Sequence, residues 1–290
     1  MFAALDERFG RTHMSSIPVA LSREDYSSLM RAYWHLEHPG FAVRLADSIG
    51  SPIERGLKLL PGTWRRRLQR CAERAIRKAL GVAVTSLGNK PGGAPRDMRH
   101  KLLGIASGAV GGFFGGPALL VELPFTTAVM LRSIADIARS EGEDLDDIAT
   151  RLACLEVFAL GGRSRADDAA DAGYYGLRLA LERPVAAASA HIARNGLANQ
   201  AGAPMLADFI MTVSSRFGIT VSEKAAAEII PIVGAVGGAL VNGVFIQHFQ
   251  DVAHSHFSIR RLERKYGRSL VQAEYGKLCG TRHGLSYAAA

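Results

Sequence analysis

Cysteine is scarce in this chain: Cys71, Cys154 and Cys279 are three in 290 residues and lie far apart. An odd, scattered set excludes a disulfide framework and has no zinc-ligand spacing. A reducing, cytoplasmic setting is the expectation. Phosphate-binding motifs are missing too. No G-x-G occurs, which removes the dinucleotide fingerprint, and Gly276–Lys277, the sole Gly-Lys pair, is followed by Leu278, so there is no P-loop. Ser107 precedes Gly108, but G-x-x-S-G in a helical stretch is not the strand–turn–helix elbow that exposes a nucleophile. H-E-x-x-H is absent. His248, Asp251 and His254 have helical spacing and metal-capable side chains, yet one helix rarely presents three ligands in the right geometry. The opening MFAALDERFG carries Asp6, Glu7 and Arg8 where a secretory signal needs an apolar run. These absences nominate no catalytic residue, metal ligand or cofactor, and a non-enzymatic role is expected.

What is present is apolar bulk and an uneven charge. Of all residues 48% are hydrophobic, enough for a sizeable core, and the net charge is +8. Residues 1–100 hold 17 basic and 9 acidic side chains, residues 101–182 hold 7 and 12, and residues 183–290 hold 11 and 6. Basic ends flank an acidic middle, and such ends are drawn to an anionic membrane surface or to nucleic acid.

The periodicity is helical almost throughout. Ser22 opens a helix with Glu24 and Asp25 in its first turn, ending near Pro39–Gly40. Short helices follow around Phe41–Ile49 and Pro52–Leu60, then a long basic one from Trp64. After the linker GNKPGGAP come an apolar stretch, Leu102–Val121, and a separate helix from Pro124 to Arg139. Asp146 or Asp147 caps the next helix, which Gly161–Gly162 ends. Asp167 leads another to about Glu182, and residues 184–197 and 204–217 make two shorter ones. Ser222 caps a last long run to about Tyr266, bent at Pro231. The only alternation of strand type, Gly218–Val221, is too short to matter. The expected fold is an all-α, multi-helix bundle of about ten helices with two glycine-rich apolar helices at its centre. Residues 22–280 form one domain: 22–87 an N-terminal helical part, 88–97 the linker, 98–280 the core. Residues 1–21 are expected to be disordered and 281–290 to be a tail.

GAVGG occurs twice, at Gly108–Gly112 and Gly234–Gly238. Gly104, Gly108, Gly112 and Gly116 form a G-x-x-x-G ladder; Gly234 and Gly238 repeat the spacing, with Asn242 on the next rung. Residues four apart share one side of a helix, so each stretch presents a groove bare of side chains. Glycine inside a helix costs roughly 0.5–1 kcal/mol relative to alanine, and close helix–helix approach is the usual compensation. Both copies are therefore read as helix-packing surfaces, with Gly-rich loops as the alternative. Leu102–Val121 and Ile229–Gln247 are long enough to span a bilayer, but their glycines, Pro117 and Pro231 favour a buried helix pair over insertion.

In WRRRLQRCAERAIRKAL, Leu68, Ala72, Ala75, Ile76, Ala79 and Leu80 make one helical face. Trp64 with Arg65, Arg66, Arg70, Arg74, Arg77 and Lys78 has the composition of an interfacial helix. The alternative is a solvated face on a core-packed helix. Nucleic acid is disfavoured as a partner, since no binding motif or stacking aromatics are present. Glu122 joins two apolar segments and is read as a helix N-terminal carboxylate, or as a polar anchor paired with Arg132 or another buried cation, near a ligand headgroup. Arg132 and Asp136 have i,i+4 spacing. Tyr174 and Tyr175 are read as core, with pocket lining as the alternative.

ELPFTTAVMLRSIADIARSEGEDL (Glu122–Leu145), RLACLEVFALGG (Arg151–Gly162), the Pro231–Gly267 segment and PGFAVRLADSIGSPIERGLKLLP together resemble the EcsC family of bacterial proteins over about residues 40–275. The family name comes from a gene that accompanies an ABC transporter, so the resemblance implies a membrane-related setting; it implies no activity, cofactor or catalytic residue. The expectation is a cytoplasmic, peripherally membrane-associated accessory protein whose partner is an anionic membrane surface or a membrane complex such as an ABC transporter. The alternative is a helical protein binding a lipid or small apolar ligand between the glycine-rich helices; an unrecognised hydrolase or metal enzyme ranks last. Nothing in the sequence sets the oligomeric state.

Overall fold

The computed structural model describes residues 21–37, 40–50, 53–87, 116–162, 173–196, 203–229 and 235–287. Ten helices and no strand occur among the described residues: α1 (Arg23–Glu37), α2 (Phe41–Ile49), α3 (Ile53–Leu59), α4 (Gly62–Ser86), α5 (Gly116–Ser140), α6 (Ile148–Leu160), α7 (Tyr174–Asn195), α8 (Pro204–Ile229), α9 (Ala235–Tyr266) and α10 (Arg268–Tyr287). The all-α bundle is as expected.

The caps fall where the sequence puts them. The Ser22 hydroxyl accepts the Asp25 backbone N–H at 3.2 Å, and Asp147 accepts that of Ala149 at 3.0 Å, each satisfying an orphan donor of its helix. At its far end α4 is closed by Arg151, which donates to the Val84 carbonyl at 2.7 Å.

α8 and α9 make the centre. α8 packs against α3, α4, α6 and α7, α9 against α1, α2, α5 and α10, and the two touch each other. From Val241 to Leu262, α9 is buried over most of its circumference, as a helix surrounded by others must be. Phe158 of α6, Phe217 of α8 and Phe245 and Phe249 of α9 meet edge-on or tilted, with contacting centroids 5.0 to 6.1 Å apart, the favoured aromatic geometry.

Three expected breaks are absent. Pro124 lies inside α5 rather than opening a helix. It cannot donate to the Leu120 carbonyl four residues back, and the Cys71 thiol donates there instead at 3.2 Å. Pro184 likewise lies inside α7, which joins the two helices expected on either side of it; the carbonyl it frees belongs to the exposed Ala180, where water can serve. Gly218–Val221 is helical, and Ser222 caps nothing: it sits within α8 with its hydroxyl on the Gly218 carbonyl at 2.7 Å. Beyond Tyr266, α10 adds a helix that runs past residue 280 to Tyr287.

Close approach through glycine does occur. A Cβ on Gly56 would stand 2.1 Å from the Ala226 carbonyl oxygen, so α3 lies directly on the α8 backbone. At Gly162 it would stand 2.2 Å from the Arg216 carbonyl oxygen. Of the glycines expected to do this, Gly104, Gly108, Gly112 and Gly234 lie outside the described residues, as do residues 1–20 and the linker. Gly116 opens α5, while Gly238 and Asn242 are buried in α9. None of the described helices is long and apolar enough to cross a membrane.

Candidate functional site

α4 carries Arg65, Arg66, Arg67, Arg70, Arg74, Arg77 and Lys78 against a single carboxylate, Glu73. Arginine, lysine, alanine and leucine are strong helix formers, and their order sorts the two faces. Leu68, Ala72, Ala75, Ile76, Ala79 and Leu80 are buried, and all seven cations are exposed. Among the described residues one ion pair touches this face, Arg77 to Glu73 at 2.9 Å with both partners about half-exposed, a pair worth little. Trp64 is half-buried, with the Arg67 guanidinium 5.9 Å from its ring centroid. The face is a stripe of positive charge on a rigid, core-packed helix, able to neutralise a polyanion.

Glu122 lies inside α5 rather than at a helix N-terminus, and the cation it pairs with is a buried lysine, not Arg132. Arg132 is exposed, and Asp136 pairs with Arg139 at 2.6 Å. Lys224 of α8, with a side chain 0% exposed, donates to Glu122 at 3.3 Å, and its ammonium lies 3.7 Å from Glu228 and 5.1 Å from the Phe245 ring centroid. Burial raises the Glu228 carboxyl; Lys224 opposes this and Glu122 adds to it. The triad locks α5 to α8. Its signal was Lys224 and Glu228 spaced i,i+4 in the otherwise apolar KAAAEII.

A second set of charges is sealed between α1, α7, α9 and α10. Arg178 donates to both oxygens of Glu263, at 2.8 and 3.0 Å, and to the Tyr174 hydroxyl at 3.2 Å. The Tyr175 hydroxyl donates to Glu263 at 2.9 Å. Glu37, closing α1, accepts the Tyr174 backbone N–H at 3.0 Å and the Tyr275 hydroxyl at 2.8 Å, a carboxylate where the α7 dipole favours one. A hydroxyl accepting from a guanidinium points its own proton onward, here to His256 Nδ1, 2.9 Å away. That assigns His256 the Nε2–H tautomer, and Nε2 is buried without a hydrogen-bond partner among the described residues. Burial, with Arg178 and Arg260 nearby, holds this imidazole well below its usual pKa. On α6, burial pushes the Glu156 carboxyl up to about 7, against the pull of Arg260 and Arg178. Tyr174 is thus core, not pocket lining.

The possible metal set is dispersed. His248 donates through Nε2 to the Gly161 carbonyl at 2.8 Å, while Asp251 pairs with Arg44 and accepts Gln247 at 2.7 Å. The described residues hold no group of three metal-capable side chains.

The model of the EcsC protein family matches residues 66–262. The chain belongs to the EcsC family. The match runs from Arg66 of α4 through α8 and most of α9, so the stripe from Arg66 onward, the Lys224 triad and His256 lie within the EcsC stretch. Neither the curated proteins nor the solved structures hold a match to this chain.

Proposed function

We propose that this EcsC protein is a non-enzymatic accessory factor that docks through the outer face of α4 on an anionic membrane surface. It is read as a peripheral protein of the cytoplasmic side, acting alone or in a membrane complex such as an ABC transporter. One observation carries the reading: six exposed cations, Arg66, Arg67, Arg70, Arg74, Arg77 and Lys78, on one rigid helix face, with only Glu73 among them. Each Lys or Arg near an anionic bilayer contributes about 1 kcal/mol, and folding leaves this stripe to solvent. Co-sedimentation with phosphatidylserine-containing vesicles is the test. The protein should bind them, ignore pure phosphatidylcholine, and be released by salt. The triple variant Arg70→Glu/Arg74→Glu/Arg77→Glu should bind at least roughly 100-fold more weakly. Failure to bind at low ionic strength removes the reading.

The alternative, a lipid or small apolar ligand beside Glu122, is supported by the buried Lys224 triad, a polar anchor inside an apolar core. Native mass spectrometry after gentle purification decides it: a protein carrying no added mass counts against a ligand there.

A further inference from the structure

We propose that the corner between α3 and α4 is the point at which this protein enters the membrane. There Leu59, next to Lys58 in sequence and just ahead of Arg65, Arg66 and Arg67 in the first turns of α4, sinks into the headgroup–acyl boundary of an anionic bilayer. The inference rests on the docking role of α4 and adds to it an orientation, corner first, and an apolar contact.

The outer face of α4 offers charge and no exposed large apolar side chain. A surface of that kind adsorbs without depth. The apolar group is found one turn away. Leu59, the last residue of α3, is 64% exposed, while its neighbour Leu60 is buried. A lone exposed leucine needs no explanation in general; the surroundings of this one matter. Lys58, Arg65, Arg66 and Arg67 are all exposed, and Trp64 sits half-buried among them. Aromatic, basic and aliphatic groups in one place are what the interfacial layer of a bilayer accommodates. Long basic side chains reach phosphate while a leucine goes below it.

The corner is also stiff. Arg65 Nη2 donates to the Leu57 carbonyl at 3.0 Å, closing the end of α3 against the first turn of α4. The Trp64 and Arg65 backbone N–H groups return to the Pro61 carbonyl at 2.9 and 3.2 Å. Gly56 holds α3 directly on the α8 backbone. Leu59 is therefore presented by a fixed promontory, and no ordering cost falls due when it is buried.

The test uses the full chain with Trp34→Phe, which leaves Trp64 as the only tryptophan. Vesicles of equimolar phosphatidylserine and phosphatidylcholine, with and without acyl-chain bromination, are the probe. Binding should shift Trp64 emission to the blue, and brominated lipid should quench it. Leu59→Ser should weaken partitioning about tenfold and reduce the quenching, while Leu59→Trp should restore the affinity and, once Trp64→Phe is added, itself be quenched. Salt-sensitive binding with Trp64 unquenched and Leu59→Ser as tight as the parent overturns the corner but leaves docking by α4 intact. No binding to the anionic vesicles overturns both.

Discussion

The arginines of α4 and those facing the core of α9 are the same residue under opposite rules. Arg178 and Arg260 are largely buried, and each has its carboxylate: Arg178 holds Glu263, and Arg260 holds Glu143 through two bonds of 2.8 and 2.9 Å. Burial alone would raise the Glu143 carboxyl, but Arg260 and Arg264 outweigh it and set it below the usual range. On α4 the cations outnumber their carboxylate by seven to one and stay in water. Inside, charge is matched because an unmatched one would be intolerable; outside, nothing in the fold demands a match. Charge that the fold does not use is what remains for a partner.

The largest expected effect comes from unbalancing the interior. Glu263→Gln leaves the Arg178 guanidinium buried without its counter-charge and should cost about 3–5 kcal/mol in chemical denaturation. Adding Arg178→Met should recover much of that; if the double variant is as unstable as the single, the pair is not the unit described. Next comes pH. The Glu156 carboxyl, pushed up to about 7, binds its proton more tightly folded than unfolded. Its contribution is full below about pH 4.5 and fades as pH climbs through 7. His248 runs the other way. Burial brings it to about 4, with the Gly161 carbonyl as a smaller opposing influence, so the fold gains stability as pH rises from 4 to 6.5. Glu156→Gln leaves that slope unopposed, and with His256 acting in the same direction its stability should climb by at least about 2–3 kcal/mol across this range. A profile parallel to the parent's would show that Glu156 is not buried as described. Gly56→Ala should cost about 1–3 kcal/mol by forcing α3 off α8, measured by thermal melting; an unchanged midpoint would mean that the two helices do not touch there. Smallest of all, Arg70→Glu with Arg74→Glu should change stability by no more than about 0.5 kcal/mol while vesicle binding drops. A large loss of stability would abolish the contrast between the two sets.

Local chemistry was readable in the sequence where it is decided locally. Ser22 and Asp147 cap their helices because a short side-chain acceptor beside free N–H groups needs no distant help. The α4 faces separate because helix period and side-chain type suffice. Proline misled at positions 124 and 184, since its cost depends on what meets the freed carbonyl. For Leu120 that is a thiol 49 residues away in sequence. The partner of Glu122 was hidden for the same reason: Lys224 lies 102 residues further along, and spacing favoured the nearer Arg132. Membership of the EcsC family was visible from blocks of sequence, whereas the Arg178–Glu263–Tyr174–His256 network becomes visible only once α7 lies against α9.

The Gly161 carbonyl is a small feature with a long reach. It ends α6 and accepts both His248 of α9 at 2.8 Å and the Thr220 hydroxyl of α8 at 3.3 Å. One oxygen thus fastens three helices. If α6 slid lengthwise, both anchorages would part at once inside a dry interior. Amide protons around residues 157–161, 217–221 and 245–249 should consequently be the last to exchange with solvent, and whatever rearrangement accompanies docking must be accommodated by the outer helices.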